Sequence, residues 1–190
     1  MLDKVTIDPV RLEYERIMEF AAGGGNDDTL ACMLASWQEG RGAMPDNFGF
    51  NADTFVELLA AHFPGLNSDS LCQPGRRVDA TRSDEHDDVY RLLLRGRAGH
   101  SASEIWMAEI VARSCQGQDH LWQDMGLWSR KQLSELMMRN FPALASLNVR
   151  NMKWKKFIYK QLCMTEGIYT CRAPSCEICV DYANCFGPED

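Results

Sequence analysis

No stretch of this chain approaches the roughly 18 uninterrupted apolar residues that a membrane helix requires, so no membrane partner is expected. Basic charge is scarce: 20 Lys and Arg stand against 27 Asp and Glu, a net charge of −7. That balance argues against general nucleic-acid binding, which uses a basic surface. The opening residues, MLDKVTIDPV, mix acids and bases around no apolar core, so neither a signal peptide nor a lipidation motif is read there. Gly23-Gly24-Gly25 lacks the pattern of a phosphate-binding loop, and no serine or cysteine nucleophile motif stands out. Nothing alternates long enough to be a strand. The expectation is a cytoplasmic, all-α protein.

What is present suits a core. The 190 residues are 45% hydrophobic and 25% charged, enough for one domain or one domain with a short appendage. Asp8-Pro9 is a helix start, followed by Leu12, Tyr14, Ile17 and Met18 on one face and stopped by the three glycines. A second helix runs from about 28 to 37, with Leu30, Met33, Leu34 and Trp37 on one face. Asn51 or Asp53 caps a third, which carries Phe55, Leu58, Leu59 and Phe63 and ends at Pro64. Residues 67–88 are polar and read as a surface loop, with a short helix over about 85–95 stopping at Gly96. Ser101 with Glu104, and Ser129 with Gln132, have capping-box spacing and open two further helices. A last helix spans about 151–163, with Trp154, Phe157, Ile158 and Leu162 on one face.

Part of the chain repeats. Glu57-Leu58 matches Glu135-Leu136, Phe63-Pro64 matches Phe141-Pro142, Leu66 matches Leu144, and Gln38 matches Gln116, all 78 residues apart. Gly49 and Gly126 match with a shift of one. Each unit reads as helix, glycine-bearing loop, helix, Phe-Pro stop. The expected architecture is a helical bundle of duplicated hairpins over 1–165, then an irregular cysteine-rich metal-binding loop over 166–190.

Eight cysteines are unexpected in a reducing compartment. Cys32, Cys72, Cys115 and Cys163 are scattered, whereas Cys171, Cys176, Cys179 and Cys185 fall in the last twenty residues with the spacing C-x4-C-x2-C-x5-C. Such clustering points to metal before disulfide. Pro174, Ser175, Asn184, Gly187 and Pro188 supply the turn chemistry that convergence of four thiolates needs. The first three cysteines have the spacing of plant-type ferredoxins, but the fourth comes much sooner. An iron–sulfur or related soft-metal cluster is one reading. A structural tetrathiolate zinc site is another, although zinc knuckles are usually separated by a longer insert. Disulfides or buried free thiols are a third.

At these residues the chain resembles the NifQ family. The flanking words, Cys171-Arg-Ala-Pro-Ser-Cys176 and Cys185-Phe-Gly-Pro-Glu189, carry the resemblance, with Leu121-Trp-Gln-Asp-Met-Gly-Leu127 and Met152-Lys-Trp-Lys-Lys-Phe157 upstream. It is strongest over 120–189 and fainter through Gly40-Arg-Gly42 and His62-Phe63-Pro64. The resemblance implies a molybdenum–iron–sulfur cluster on Cys171, Cys176, Cys179 and Cys185. It implies a carrier that donates molybdenum to the iron–molybdenum cofactor of nitrogenase, not an enzyme turning over an organic substrate. The partners it implies are the cofactor scaffold, the nitrogenase reductase, and molybdate or another molybdenum source. As a hypothesis, three cysteinates hold a three-iron, four-sulfide core whose open corner takes molybdenum, with the fourth cysteine free to ligate it. Two rivals follow from the spacing alone: a helical interaction module stapled by zinc, and a small ferredoxin-like electron carrier.

Secondary features have plainer readings beside functional ones. Arg150, Lys153, Lys155, Lys156 and Lys160 form a basic run that either attracts molybdate or an acidic partner, or is a solvated helix face. Cys163 is a spare ligand or a buried apolar residue; Cys32 and Cys115 are expected in the core. His62, His86, His100 and His120 do not cluster in sequence, although His100 or His120 could reach a metal. The five tryptophans are expected as core and loop anchors, and Glu57 and Glu135 on exposed helix faces.

Overall fold

The computed structural model describes residues 8–166. Every regular element among them is helical. Helix α1 (Pro9–Met18) starts where Pro9 presets the backbone and the Asp8 carboxylate accepts from Val10 N–H. Its inward face is Val10 and Ile17; Leu12, expected inside, is about half exposed. It ends at Met18, ahead of the glycines. α2 (Asp27–Gln38) was expected to bury one stripe, but all its residues from Asp27 to Trp37 are buried except Asp28. A helix apolar on nearly all sides belongs at the centre of a bundle.

Asn51 caps α3 (Ala52–His62) by accepting from Thr54 N–H at 2.9 Å. The polar segment beyond holds two short 3-10 turns, Ser68–Ser70 and Ala80–Arg82. Helix α4 (Ser83–Arg95) begins inside the stretch read as loop, because Asp84 and Glu85 complement its N-terminal dipole and Arg82 pairs with Glu85 at 2.5 Å. α5 (Ser103–Cys115) is the second central helix. A short α6 (Leu121–Asp124), missed in the sequence, precedes α7 (Arg130–Asn140) and the one-turn α8 (Pro142–Ala145). Pro142 thus ends one helix and opens another. α9 (Trp154–Glu166) lays Trp154, Phe157 and Ile158 into the core.

The two capping boxes form in altered versions. Ser129 accepts from Gln132 N–H at 3.2 Å, but the Gln132 side chain returns to Trp128 N–H, one residue earlier. Glu104 is buried and accepts from three backbone N–H groups, of Gly99, His100 and Ser101, at 2.7–3.0 Å. Burial opposes its charge, and those donors outweigh burial and hold it below the usual carboxylate range.

The repeat is borne out in the backbone. α3 and α7 begin 78 residues apart and end 78 residues apart. Their last residues, His62 and Asn140, offer their carbonyls to Ala22 N–H and Ala98 N–H, both at 2.9 Å. Phe63 and Phe141 follow with nearly the same backbone, φ −135° and −132°, and both are fully buried. The repeating unit is larger than a hairpin, since α1 packs on α2 as α4 packs on α5. Two three-helix units therefore make the body.

The units meet where the N-termini of α2 and α5 come against the C-terminus of α7. The Asn26 amide donates to Asn140 at 2.7 Å and to Ser103 at 2.9 Å, and Asn140 donates back at 3.0 Å. Beside them the Asp27 carboxylate takes His62 Nδ1 at 2.6 Å and the N–H groups of Gly23 and Gly24 at 2.7 and 2.8 Å. The glycine loop therefore already encloses an anion, its own Asp27. Asn140→Leu strands the Asn26 amide in the core and is expected to cost about 1–3 kcal/mol, read by urea denaturation.

His86 clasps α4 to α5, with Nε2 3.0 Å from Glu109 and Nδ1 3.0 Å from Asp87. Burial disfavours its charge, but the two carboxylates overcome this and raise its pKa above the usual 6.5. A raised value means the clasp stabilises fully below pH 6.5 and is lost as pH rises through the folded value. His86→Gln is expected to abolish that dependence in melts across neutral pH.

Candidate functional site

Cys171, Cys176, Cys179 and Cys185, the expected cluster ligands, lie outside the described residues, as does the expected cysteine-rich loop. The other cysteines sort by environment. Cys32 and Cys115 are buried in α2 and α5, and burial pushes each thiol up to about 12. A thiol held that high is protonated at neutral pH and is a poor metal ligand. Cys72 is exposed and Cys163 is buried on α9. Among the described residues no group of three or more His, Cys, Asp or Glu side chains could hold a metal ion.

The helix that leads toward the four cysteines is α9, and its seat is charged. Lys155, in the expected basic run, points into the body: its ammonium pairs with the Asp124 carboxylate and donates to the Gly117 carbonyl at 2.9 Å. Only 16% of the Lys155 side chain and 3% of the Asp124 side chain is exposed. Gly117 is needed there because a Cβ would collide with the Asp124 carboxylate. Four residues on, Tyr159 donates to Glu85, which also receives the Arg82 guanidinium. Arg82 in turn donates to the Gln116 carbonyl at 2.5 Å and accepts from its side chain at 2.9 Å. At the start of the helix Trp154 donates to Ser134 at 3.0 Å. The basic run is therefore divided: Lys155 is structural, whereas Lys156 is exposed.

The first unit has a counterpart. Arg76 sends its guanidinium to the carbonyls of Gly40 and Gly42, while Asp46 accepts from Gly75 N–H at 2.8 Å and Arg76 N–H at 3.1 Å. In both units a cation carried after the Phe-Pro stop closes on carbonyls just beyond that unit's central helix, and an aspartate from the stretch between the central helix and the unit's last one grips the same segment. Lys155 and Asp124 correspond to Arg76 and Asp46. The repeat spacing was the signal: Asp46 and Asp124 are identical residues 78 apart, a match the sequence reading passed over, whereas Arg76 and Lys155 differ in identity and are offset by one further residue.

The remaining candidates are dispersed. His100 is exposed and His120 half-buried, while His62 and His86 serve the buried contacts above. Glu57 and Glu135 are exposed, as expected. Trp37 lies in the core against Phe48 and Phe55, and Trp128 packs edge-on against Tyr14 at 5.0 Å. A cavity of about 690 Å³ opens where the loops of the two units meet α1, lined by Arg11, Ser36, Arg41, Trp122, Gly126 and Trp128 among others.

These observations define a duplicated protein whose regular elements, among the described residues, are all helical. No helix among them is long and apolar enough to cross a membrane. A family model described as NifQ matches residues 29–187, a span that includes all four clustered cysteines. The chain is 44% identical to Protein NifQ of Azotobacter vinelandii over 84% of its own length and 87% of that protein. It is 47% identical to Protein NifQ of Klebsiella pneumoniae, covering 84% of this chain and 97% of that one. Protein NifQ of Rhodobacter capsulatus is 35% identical, covering 84% and 87%. No solved structure matches the chain. The chain belongs to the NifQ family, and its role lies in nitrogen fixation, in the molybdenum-related biosynthesis of the nitrogenase cofactor.

If the charged seat holds α9, Lys155→Met leaves a buried carboxylate unpaired. It is expected to cost about 1–3 kcal/mol, below a fully buried pair because Lys155 keeps some solvent. Lys156→Gln is expected to stay within about 0.5 kcal/mol in the same denaturation assay.

Proposed function

We propose that this protein is a molybdenum–iron–sulfur carrier. In this reading Cys171, Cys176, Cys179 and Cys185 hold the cluster, and molybdenum is the cargo passed to nitrogenase cofactor assembly. The observation that carries the reading is C-x4-C-x2-C-x5-C inside the span that matches the NifQ family. Four thiolates are a soft donor set that suits an iron–sulfur cluster with a thiophilic metal and does not suit hard cations. The cluster supplies a sulfide-rich seat on which molybdenum is held until transfer.

The protein's own residues divide the work. The helical body offers no competing metal group among its described residues. Cys32 and Cys115 are buried in the body, and burial disfavours the thiolate form that binds metal. The paired Lys155 and Tyr159 anchor the helix that precedes the cysteine segment. The recipients are the cofactor scaffold and the nitrogenase reductase, and the protein acts in the cytoplasm as a donor without turning over a substrate.

The test is anaerobic purification with iron, sulfide, molybdenum and zinc analysis and EPR, comparing wild type with Cys179→Ala. Iron, sulfide and molybdenum present together, and lost together in the variant, are expected. Stoichiometric zinc without iron would replace the carrier by a zinc-stapled helical module. Redox-active iron and sulfide that take up no molybdenum would make it an electron carrier.

A further inference from the structure

The cavity at the junction of the two units carries the donors Arg11, Arg41, Ser36 and Trp122 beside two carboxylates, Asp8 and Asp119, and an apolar share of wall that includes Leu127. Arg41 engages Asp8 through one nitrogen at 3.0 Å, and Arg11 engages Glu15 through Nε at 3.2 Å; both side chains are 55% exposed. A guanidinium carries five N–H donors, so most of each fork remains for a ligand. Arg11 also lies over the rings of Tyr14 and Trp128, 5.4 Å from each centroid. The Ser36 hydroxyl accepts from Trp128 Nε1 at 3.3 Å and keeps its own proton to donate. Trp122, in the same wall, has a buried indole N–H with no partner among the described residues.

The backbone around this space leaves no room to vary. Gly42 and Gly126 both have φ of +76°, and a Cβ on either would stand 2.9 Å from Asp124 O or Ser36 Cβ. The two loops therefore meet backbone to backbone at the cavity, where Ala43 N–H donates to Asp124 O at 2.8 Å. Of the two carboxylates in the lining, Asp8 is engaged by Arg41 and by Val10 N–H. Asp119 is the opposing charge.

We propose that this cavity binds a tetrahedral oxyanion, and specifically molybdate, as the form in which molybdenum first meets the protein. The assignment to molybdate rests on the molybdenum-carrier reading above; the donor-rich wall is independent of it. Donors on one wall of the cavity fit a ligand with four acceptor oxygens and two negative charges, which would occupy part of its volume. Arg11 and Arg41 bind its charge, and Ser36 and the tryptophan wall orient it. Asp119 limits the affinity and so permits release toward the cysteine segment.

The test is calorimetric titration of sodium molybdate into the full chain, as wild type and as the double variant Cys176→Ser with Cys179→Ser. Both are expected to bind one molybdate. Arg41→Gln and Arg11→Gln are each expected to weaken binding about tenfold or more, the loss of a charge-assisted hydrogen bond. Asp119→Asn is expected to tighten it about threefold, and thermal melts establish that each variant is folded. Tungstate should compete and sulfate should not. Binding unchanged in the arginine variants, or weakened by Asp119→Asn, would overturn the site. Equal competition by sulfate would overturn the molybdate assignment. Binding lost with the cysteines but kept without the arginines would overturn the cavity and leave the cluster reading standing. Binding at the cavity in a protein that never takes up iron would do the reverse.

Discussion

A buried helix end must give its unpaired backbone and side-chain groups partners inside the protein, and this body is organised around that demand. Asn26, Asp27, His62, Ser103, Glu104 and Asn140 meet it where the starts of α2 and α5 come against the ends of α3 and α7. Asn26, Asp27, Ser103 and Glu104 are buried, so these groups take their partners from the protein. Asp27 and Glu104 reach back to the N–H groups of the preceding loops, and Asn140 and His62 close the gap from the other helices. The relative placement of the two units follows from this network, and so does the meeting of their loops at the cavity.

The duplication gives the network its logic. Each unit closes its loop with a cation that arrives after the Phe-Pro stop, Arg76 in one and Lys155 in the other. In the first unit the cation locks a surface segment. In the second it locks α9, which precedes the four cysteines in the sequence. The same device that finishes one unit thereby orients the element nearest the proposed metal-handling segment.

Much of the body was legible in the sequence. Asp8-Pro9, Asn51 and Ser129 mark helix starts because short polar side chains satisfy free N–H groups locally. The Phe-Pro pairs mark ends because proline cannot continue the ladder. α4 starts at Ser83, slightly ahead of the expected 85, because its first turn is all polar and shows no apolar period; charge against the helix dipole sets the start. Short α6 was missed because four residues are too few to show a period. Lys155 looked like part of a solvated basic face because its partner, Asp124, lies 31 residues earlier, at the end of α6.

The sequence by itself determined the helical class, the repeat, the cysteine spacing and the family, since each depends on residues near one another in the chain or at a constant offset. Tertiary structure decided which polar residues are buried and with whom. It decided that α2 is central, that Lys155 is structural, and that Arg11, Arg41 and two tryptophans share one cavity. The physical reason is range: caps, stops and ligand spacing act over a few residues, while burial and charge pairing join groups separated by most of the chain.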